Sequence, residues 1–161
     1  MSLVGAIGKM VLALLAMIGV AVASCEVNKA YWDRQVRELC ELDGGVVVYE
    51  QVELTPEEYR ENDGKSGIIR VPSETSKIAN QYSYLRRTTT EYIHIGYPTV
   101  TRRESIIFRK SDGKELGKSV LYTRTGGSFP NGISETPSFS CNDIEAFSLD
   151  IERQIFSIRG E

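Results

Sequence analysis

Few residues in this chain have the types and spacing that catalysis or metal binding requires. His94 is the only histidine, and no cysteine is spaced to join it in a metal site. No G-x-S-x-G nucleophile motif is present. A hydrolytic role would have to pair His94 with a nearby glutamate. We therefore predict no catalytic residue and no metal site, and a hydrolase built on His94 stays as the alternative.

One segment carries aromatic and basic residues in a pattern that suits binding better than catalysis. Residues of one parity in a β-strand lie on the same face, and here they are Tyr82, Tyr84, Arg86, Tyr92 and His94. A face that offers aromatic rings beside a cation suits a saccharide or an anionic protein loop. Strand tyrosines are also common as half-buried packing residues. We predict a binding face here, with packing as the alternative.

Charge and glycine spacing argue against nucleic acids and nucleotide cofactors. The formal net charge is -3, so nucleic acid is not an expected partner. Neither Gly44-Gly45 nor Gly126-Gly127 has the spacing of a phosphate-binding loop, and no cofactor is implied. Residues 82–124 nevertheless hold 9 basic and 4 acidic side chains. This positive segment is either a face that binds an anionic polymer or protein, or a sheet screened by its acidic flanks.

An apolar run near the N-terminus has the layout of an export signal. Residues 10–23 are 14 uncharged, mostly apolar residues, preceded by Lys9 and followed by small residues. The run is shorter than the roughly 20 apolar residues of a spanning helix, although extension back to Leu3 leaves an uncleaved anchor open. Cleavage after Ala21-Val22-Ala23 would instead release a soluble periplasmic protein.

The end of this run, Val22-Ala23-Ser24-Cys25, resembles the lipobox of bacterial lipoproteins. The resemblance implies that the Cys25 thiol is acylated and that a signal peptide of residues 1–24 is removed in front of it. The protein would then be held at the membrane by lipid without spanning it. Glu26 stands where an aspartate favours inner-membrane retention in enterobacteria, so the resemblance implies the periplasmic face of the outer membrane. Inner-membrane anchoring is the alternative.

The lipoprotein resemblance also accounts for the odd number of cysteines. In an oxidising compartment, acylation of Cys25 leaves Cys40 and Cys141 to form a disulfide. Such a bond would close a loop of about 100 residues and contribute roughly 4 to 5 kcal/mol in the chain-entropy model. Two reduced core thiols are the alternative, and they would fit a cytosolic protein.

Periodicity predicts the elements that position these residues. A helix over residues 28–43, capped by Asn28 and stopped by Gly44-Gly45, places Trp32, Val36, Leu39 and Cys40 on one face. A buried strand follows over residues 46–54, and Thr55-Pro56-Glu57-Glu58 is a capping box for a short helix. Runs over residues 82–95, 99–109 and 115–124 predict an antiparallel meander. A C-terminal amphipathic helix is predicted from apolar residues at helical spacing, which are Ile144, Phe147, Ile151, Ile155 and Ile158.

Together these patterns predict an α+β fold, an antiparallel β-meander flanked by an N-terminal and a C-terminal helix, with one disulfide. Residues 25–161 would form a single domain. This body also resembles small proteobacterial lipoproteins, a likeness that implies no particular activity. We therefore expect a non-catalytic binding or interaction module of the cell envelope, whose partner is an envelope protein or an anionic envelope polymer. A periplasmic inhibitor or immunity-type protein and an envelope-polymer hydrolase are the alternatives.

Overall fold

The computed structural model describes residues 3–61, 63–64, 68–128, 137–144 and 150–159. The helices of these residues are α1 (Leu3–Asp43), α2 (Pro56–Glu61) and α3 (Ile151–Ile155). The strands are β1 (Gly45–Val48), β2 (Val52–Leu54), β3 (Asp63–Gly64), β4 (Ile68–Ile69), β5 (Tyr84–His94), β6 (Thr99–Arg109), β7 (Glu115–Thr125), β8 (Ser138–Ser140) and β9 (Phe156–Ile158). The α+β class is confirmed.

Helix α1 is longer than predicted and contains Asn28 in its interior. The expected cap at Asn28 is wrong because residues 24–27 contain neither glycine nor proline, so the apolar N-terminal run and the amphipathic segment form one helix of 41 residues. The predicted stop is confirmed, since the Gly44 amide donates to the Cys40 carbonyl at 2.9 Å. A Cβ at Gly44 would lie 2.6 Å from that carbonyl oxygen, which only glycine avoids.

The predicted meander is confirmed and forms the centre of the fold. Its sheet has the order β1-β7-β6-β5, and β8 also pairs with β7. All of these pairings are antiparallel. The connection between β6 and β7 turns at Gly113, whose φ of 71° suits glycine. The strand predicted over residues 46–54 is divided instead, because β1 joins the main sheet and β2 pairs with β9.

Two hydrophobic clusters lie on opposite faces of the sheet, which we call the α1 face and the α3 face. On the α1 face, Val36 and Cys40 of α1 pack with Val100, Val120 and Tyr122 of the sheet. The predicted apolar stripe of α1 is confirmed, since Trp32 and Leu39 pack against the same cluster. On the α3 face the cluster consists of Leu54, Ile69, Val71, Ile107, Leu116, Ile151, Ile155 and Phe156.

The C-terminal helix is shorter than the spacing of apolar residues predicted. Of the residues that the structure describes in this segment, Ile151–Ile155 are helical, and Ile158 belongs to β9, which pairs in parallel with β2. Residues 156–158 form a strand despite their helical spacing, because aromatic and β-branched side chains favour strands. Phe156 also packs in the α3-face cluster. Ile144 has extended backbone and follows a 3-10 turn over Cys141–Asp143. Phe147 lies outside the described residues.

The capping box predicted at α2 is confirmed, and a second box lies near the C-terminus. At α2, the Thr55 amide donates to Glu58 at 2.9 Å and the Glu58 amide donates to Thr55 Oγ1 at 3.2 Å. Near the C-terminus, Ser140 and Asp143 form the box, with the Ser140 amide donating to Asp143 Oδ2 at 2.7 Å. This box fixes the backbone at Cys141, which immediately follows Ser140.

Candidate functional site

The three cysteines divide into a bonded pair and a free thiol. Cys40 and Cys141 form the predicted disulfide, with an S–S distance of 2.08 Å and Cα atoms 5.6 Å apart. Both are fully buried in the α1-face cluster, and the Tyr122 amide donates to Cys141 Sγ at 3.3 Å. Cys25 is free and partly buried on α1. The disulfide joins α1 to the residue that follows β8, and Cys25 takes no part in it.

The N-terminal part of α1 is apolar, and its side chains do not pack against the rest of the fold. One helix, over residues 7–43, is long and apolar enough to cross a membrane, with a mean hydropathy of 2.3 in its most apolar window. None of that window is buried. A signal sequence near an N-terminus has the same properties. Length and composition are therefore compatible with either a signal or an anchor.

The residues of the predicted binding face do not share one face. Tyr84, Arg86 and Tyr92 pair with Arg109, Ile107 and Thr101, which places them on the α3 face. A register shift between Tyr92 and His94 places an extra residue, Ile93, in β5. The shift turns His94 to the α1 face, where its ring stacks on Trp32 at 4.4 Å with an interplanar angle of 17°. Common parity was therefore wrong for His94.

Two of the predicted face residues are engaged in packing. The Tyr84 ring contacts Phe156 edge-on, with centroids 4.8 Å apart. Burial raises the pKa of Tyr84. Arg86 forms an ion pair with Glu152 of α3, and burial lowers the pKa of Arg86. These contacts attach β5 to the C-terminal elements, so Tyr84 and Arg86 are half-buried packing residues, as in the packing alternative.

Tyr82 precedes β5 and lines an open groove of about 580 Å³. The basic side chains of the groove already have partners. Lys110 donates from Nζ to the backbone and side-chain oxygens of Asn80 at 3.3 Å, and Arg109 pairs with Glu50 and Asp112. Hydrogen bonds from Lys114 and Arg109 hold the pKa of Glu50 below its usual value. Carboxylates therefore neutralise Arg109, whereas the oxygens that bind Lys110 are neutral and leave its charge uncompensated at the groove.

Other charges on the positive segment join α1 to the sheet. Arg124 is 1% exposed and pairs with Asp33 of α1, and its guanidinium also donates to the carbonyls of Gly126 and Pro137. At the other end of α1, Asp43 accepts from Arg102 and Tyr122 at 3.0 Å. Burial raises the pKa of Asp43, but these hydrogen bonds outweigh it and lower the pKa overall. Part of the basic surplus is thus structural.

The turn between β5 and β6 presents apolar side chains to solvent; we call residues 92–97 the hairpin tip. Tyr92, Ile95 and Tyr97 are 61%, 79% and 53% exposed, and Ile93 is also exposed. Sequence reasoning missed this surface, although apolar residues beside the turn glycine, Gly96, are a signal, since turns are usually polar.

The hairpin tip is attached to α1 and to the segment after β7. The Asn28 amide group donates to the Tyr97 carbonyl at 3.2 Å, and the His94 ring lies on Trp32. The Tyr97 hydroxyl donates to the Ser128 carbonyl. Gly126 has a φ of 85°, and a Cβ there would lie 2.7 Å from the Tyr97 ring. These contacts hold the tip beside the segment of α1 that follows Cys25.

The outer edge of β5 is open over much of its length. A parallel bridge joins Ser73 to Arg86, and Glu74 binds the Arg87 guanidinium at 2.9 Å. Beyond Arg87, no described residue pairs with the outer edge over residues 88–94. The side chains of residues 88–93 are all exposed. An edge strand of this kind can accept another strand through its backbone groups.

Metal-ligating side chains do not cluster in the part of the chain that the structure describes. Within it, no group of three or more His, Cys, Asp or Glu residues could hold a metal ion. His94 is occupied by its stack on Trp32. Comparison with protein-family models, with curated proteins and with solved structures finds no match.

Proposed function

We propose that this chain is a lipid-anchored protein of the bacterial cell envelope whose folded part is a non-catalytic binding module. The observation that carries the proposal is the division of the cysteines. Cys40 and Cys141 are joined, whereas Cys25 is free at the end of an apolar, unburied helical segment. Disulfides persist mainly in exported proteins, which agrees with an export signal in front of Cys25.

Acylation gives Cys25 a role that the fold does not require of it. A thiol in the lipobox-like sequence Val22-Ala23-Ser24-Cys25 is the nucleophile that lipid attachment needs. Several acyl chains on one residue hold a protein at a membrane, whereas one chain binds only marginally. Glu26 supports the periplasmic face of the outer membrane as the site of anchoring.

The open edge of β5 supports an interaction role for the folded part. Residues 88–94 offer an unpaired strand edge and exposed threonines among the described residues. An extended segment of an envelope protein would gain backbone hydrogen bonds there. The packing of Tyr84 and Arg86 favours this edge over the tyrosine face as the binding surface.

The proposal is tested by mass and membrane fractionation of the mature protein. Wild type, Cys25→Ser and Ala30→Ser are expressed in a bacterium that processes lipoproteins. Ala30 is an exposed α1 residue five positions beyond Cys25, so its serine variant is a matched control. We expect wild type and Ala30→Ser to begin at position 25, to carry acyl mass and to fractionate with the outer membrane. Cys25→Ser should keep its leader and lack acyl mass.

Two outcomes would contradict the proposal. If wild type and Cys25→Ser carry no acyl mass and fractionate alike, Cys25 is not a lipid site. Cleavage of wild type after Ala23, with release into the periplasm, would replace lipid anchoring by simple export.

A further inference from the structure

We propose that the hairpin tip, residues 92–97, docks into the lipid surface beside the N-terminal anchor. The inference rests on the proposed anchoring and adds a second contact between the protein and the membrane. It assigns a role to the exposed apolar residues of the β5–β6 turn, which neither the core nor the disulfide uses.

The position of the tip along α1 is the first argument. Tyr97 receives a hydrogen bond from Asn28, three residues beyond Cys25. Three residues of helix correspond to roughly 4.5 Å of rise. His94 is stacked on Trp32, one helical turn further on. Any attachment that brings Cys25 to a bilayer surface therefore brings the tip to it as well.

The chemistry of the exposed side chains is the second argument. Tyrosine is enriched where a membrane meets water, because its ring is apolar and its hydroxyl is polar. The tip offers Tyr92 and Tyr97 beside Ile93 and Ile95, and its residues include no Asp, Glu, Lys or Arg. No charge would have to leave water when the tip enters the interface.

The distribution of exposed apolar side chains selects lipid as the occupant. Beyond Cys25, where the mature protein would begin, α1 exposes the apolar side chains of Val27 and Tyr31. The tip extends this surface sideways from α1. The other large exposed hydrophobics of the described residues beyond Cys25 are Leu42, Val47 and Tyr49. The tip is thus continuous with the part of the chain that a membrane would cover.

The tip is also pre-formed, which lowers the entropy lost on docking. Its backbone is held by Asn28 and by the Thr99 hydroxyl, which donates to the Gly96 carbonyl at 2.8 Å. The Tyr97 ring lies against Gly126, and Pro98 is buried against Gly127. A rigid loop keeps Ile95 outward without ordering new residues at the membrane.

Site-specific fluorescence tests the docking in the mature protein, purified from a bacterium that processes lipoproteins. Ile95→Cys and Leu42→Cys are each labelled with a small environment-sensitive fluorophore and reconstituted into vesicles of phosphatidylethanolamine and phosphatidylglycerol. Leu42 is the matched control, since it is 83% exposed and lies at the other end of α1. The parent chain, labelled in parallel, gives any contribution of Cys25, which is subtracted. Quenching by aqueous iodide is compared with quenching by spin-labelled lipid.

We expect the probe at position 95 to be quenched by spin-labelled lipid and protected several-fold from iodide, and the probe at position 42 to behave in the opposite way. Adding Ile93→Asp to the Ile95→Cys chain should restore iodide access, because a carboxylate resists entry into the interface. Equal iodide quenching at positions 95 and 42 in vesicle-bound protein would overturn the docking and leave the anchor standing.

Two further results separate the inference from the proposed function. Protection of position 95 from both quenchers means that protein covers the tip, through a second copy or a partner, and overturns lipid docking. If the chain does not float with the vesicles at all, the anchoring itself fails and the docking fails with it.

Discussion

At the scale of single residues, the most consequential charge is Arg124, which lies inside the fold. Its side chain is 1% exposed and binds Asp33 of α1 together with the carbonyls of Gly126 and Pro137. Exposed ion pairs contribute little, because water and salt screen them, and the Arg34 and Glu38 pair on the outside of α1 is of that kind. A buried charge behaves differently, since losing one partner leaves the other desolvated.

We predict that Arg124→Met lowers the free energy of unfolding by about 1 to 3 kcal/mol, because it leaves hydrogen-bonding groups without their donor while Asp33 stays partly exposed to water. The methionine fills part of the space but leaves Asp33 and two carbonyls without their donor. Arg34→Met is the matched control and should cost about 0.5 kcal/mol or less. Urea unfolding of both variants measures the difference, and equal effects would show that the Arg124 site is as well hydrated as the surface.

At the scale of elements, β5 combines three functions along its length. Its first residues, Tyr84 and Arg86, pack against α3 and β9. Its middle, residues 88–91, is an exposed edge, and its end bulges at Ile93 within the hairpin tip. An unprotected edge strand is a liability for aggregation, so a long one is usually either shielded or used. We infer that this edge is used by a partner.

We predict that a photo-reactive amino acid at Thr89 crosslinks to an envelope protein in living cells. Thr89 is exposed in the middle of the open edge, whereas Glu41, an exposed residue of α1, serves as the control position. A partner strand on β5 would lie within reach of position 89, so one recurrent adduct is expected there and none at position 41. Mass-resolved immunoblots detect the adducts. Identical patterns at the two positions would argue against strand addition at this edge.

The sequence predicted the elements whose signals are local. The capping box at Thr55 and Glu58, the helix stop at Gly44 and the turn at Gly113 depend on neighbouring residues alone. Elements that depend on distant partners were predicted less well. Ile158 fits a helical period, yet it pairs with Leu54 about a hundred positions earlier in the chain. The alternation of side chains along a strand predicted His94 on the same face as the tyrosines. A one-residue bulge reverses that alternation, and the composition of the sequence gives no sign of it.

In the whole molecule, α1 combines an exposed apolar N-terminal segment with one layer of the fold. Beyond Cys25 it covers the α1 face of the sheet. Three bonds attach it there: the disulfide, the ion pair of Asp33 with Arg124 and the ion pair of Asp43 with Arg102. A folded domain attached to its anchor through such a helix has a defined orientation at the bilayer. With the proposed lipid on Cys25, the hairpin tip would lie at the same end of the molecule as the anchor, because Asn28 binds the Tyr97 carbonyl.

The disulfide fixes α1 to the C-terminal part of the chain. Cys40 and Cys141 are 101 positions apart, so their bond restricts the unfolded chain strongly. In the chain-entropy model, Cys40→Ala with Cys141→Ala should lower the free energy of unfolding by roughly 4 to 5 kcal/mol. Unfolding by urea in detergent is measured by the fluorescence of Trp32, an α1 residue whose ring stacks on His94 of the hairpin tip. Cys25→Ala changes the cysteine that lies outside the disulfide and should leave the midpoint unchanged. A small shift in the double variant would mean that the hydrophobic and ionic contacts of α1 suffice to hold it on the sheet. The disulfide would then contribute little to the orientation of the domain.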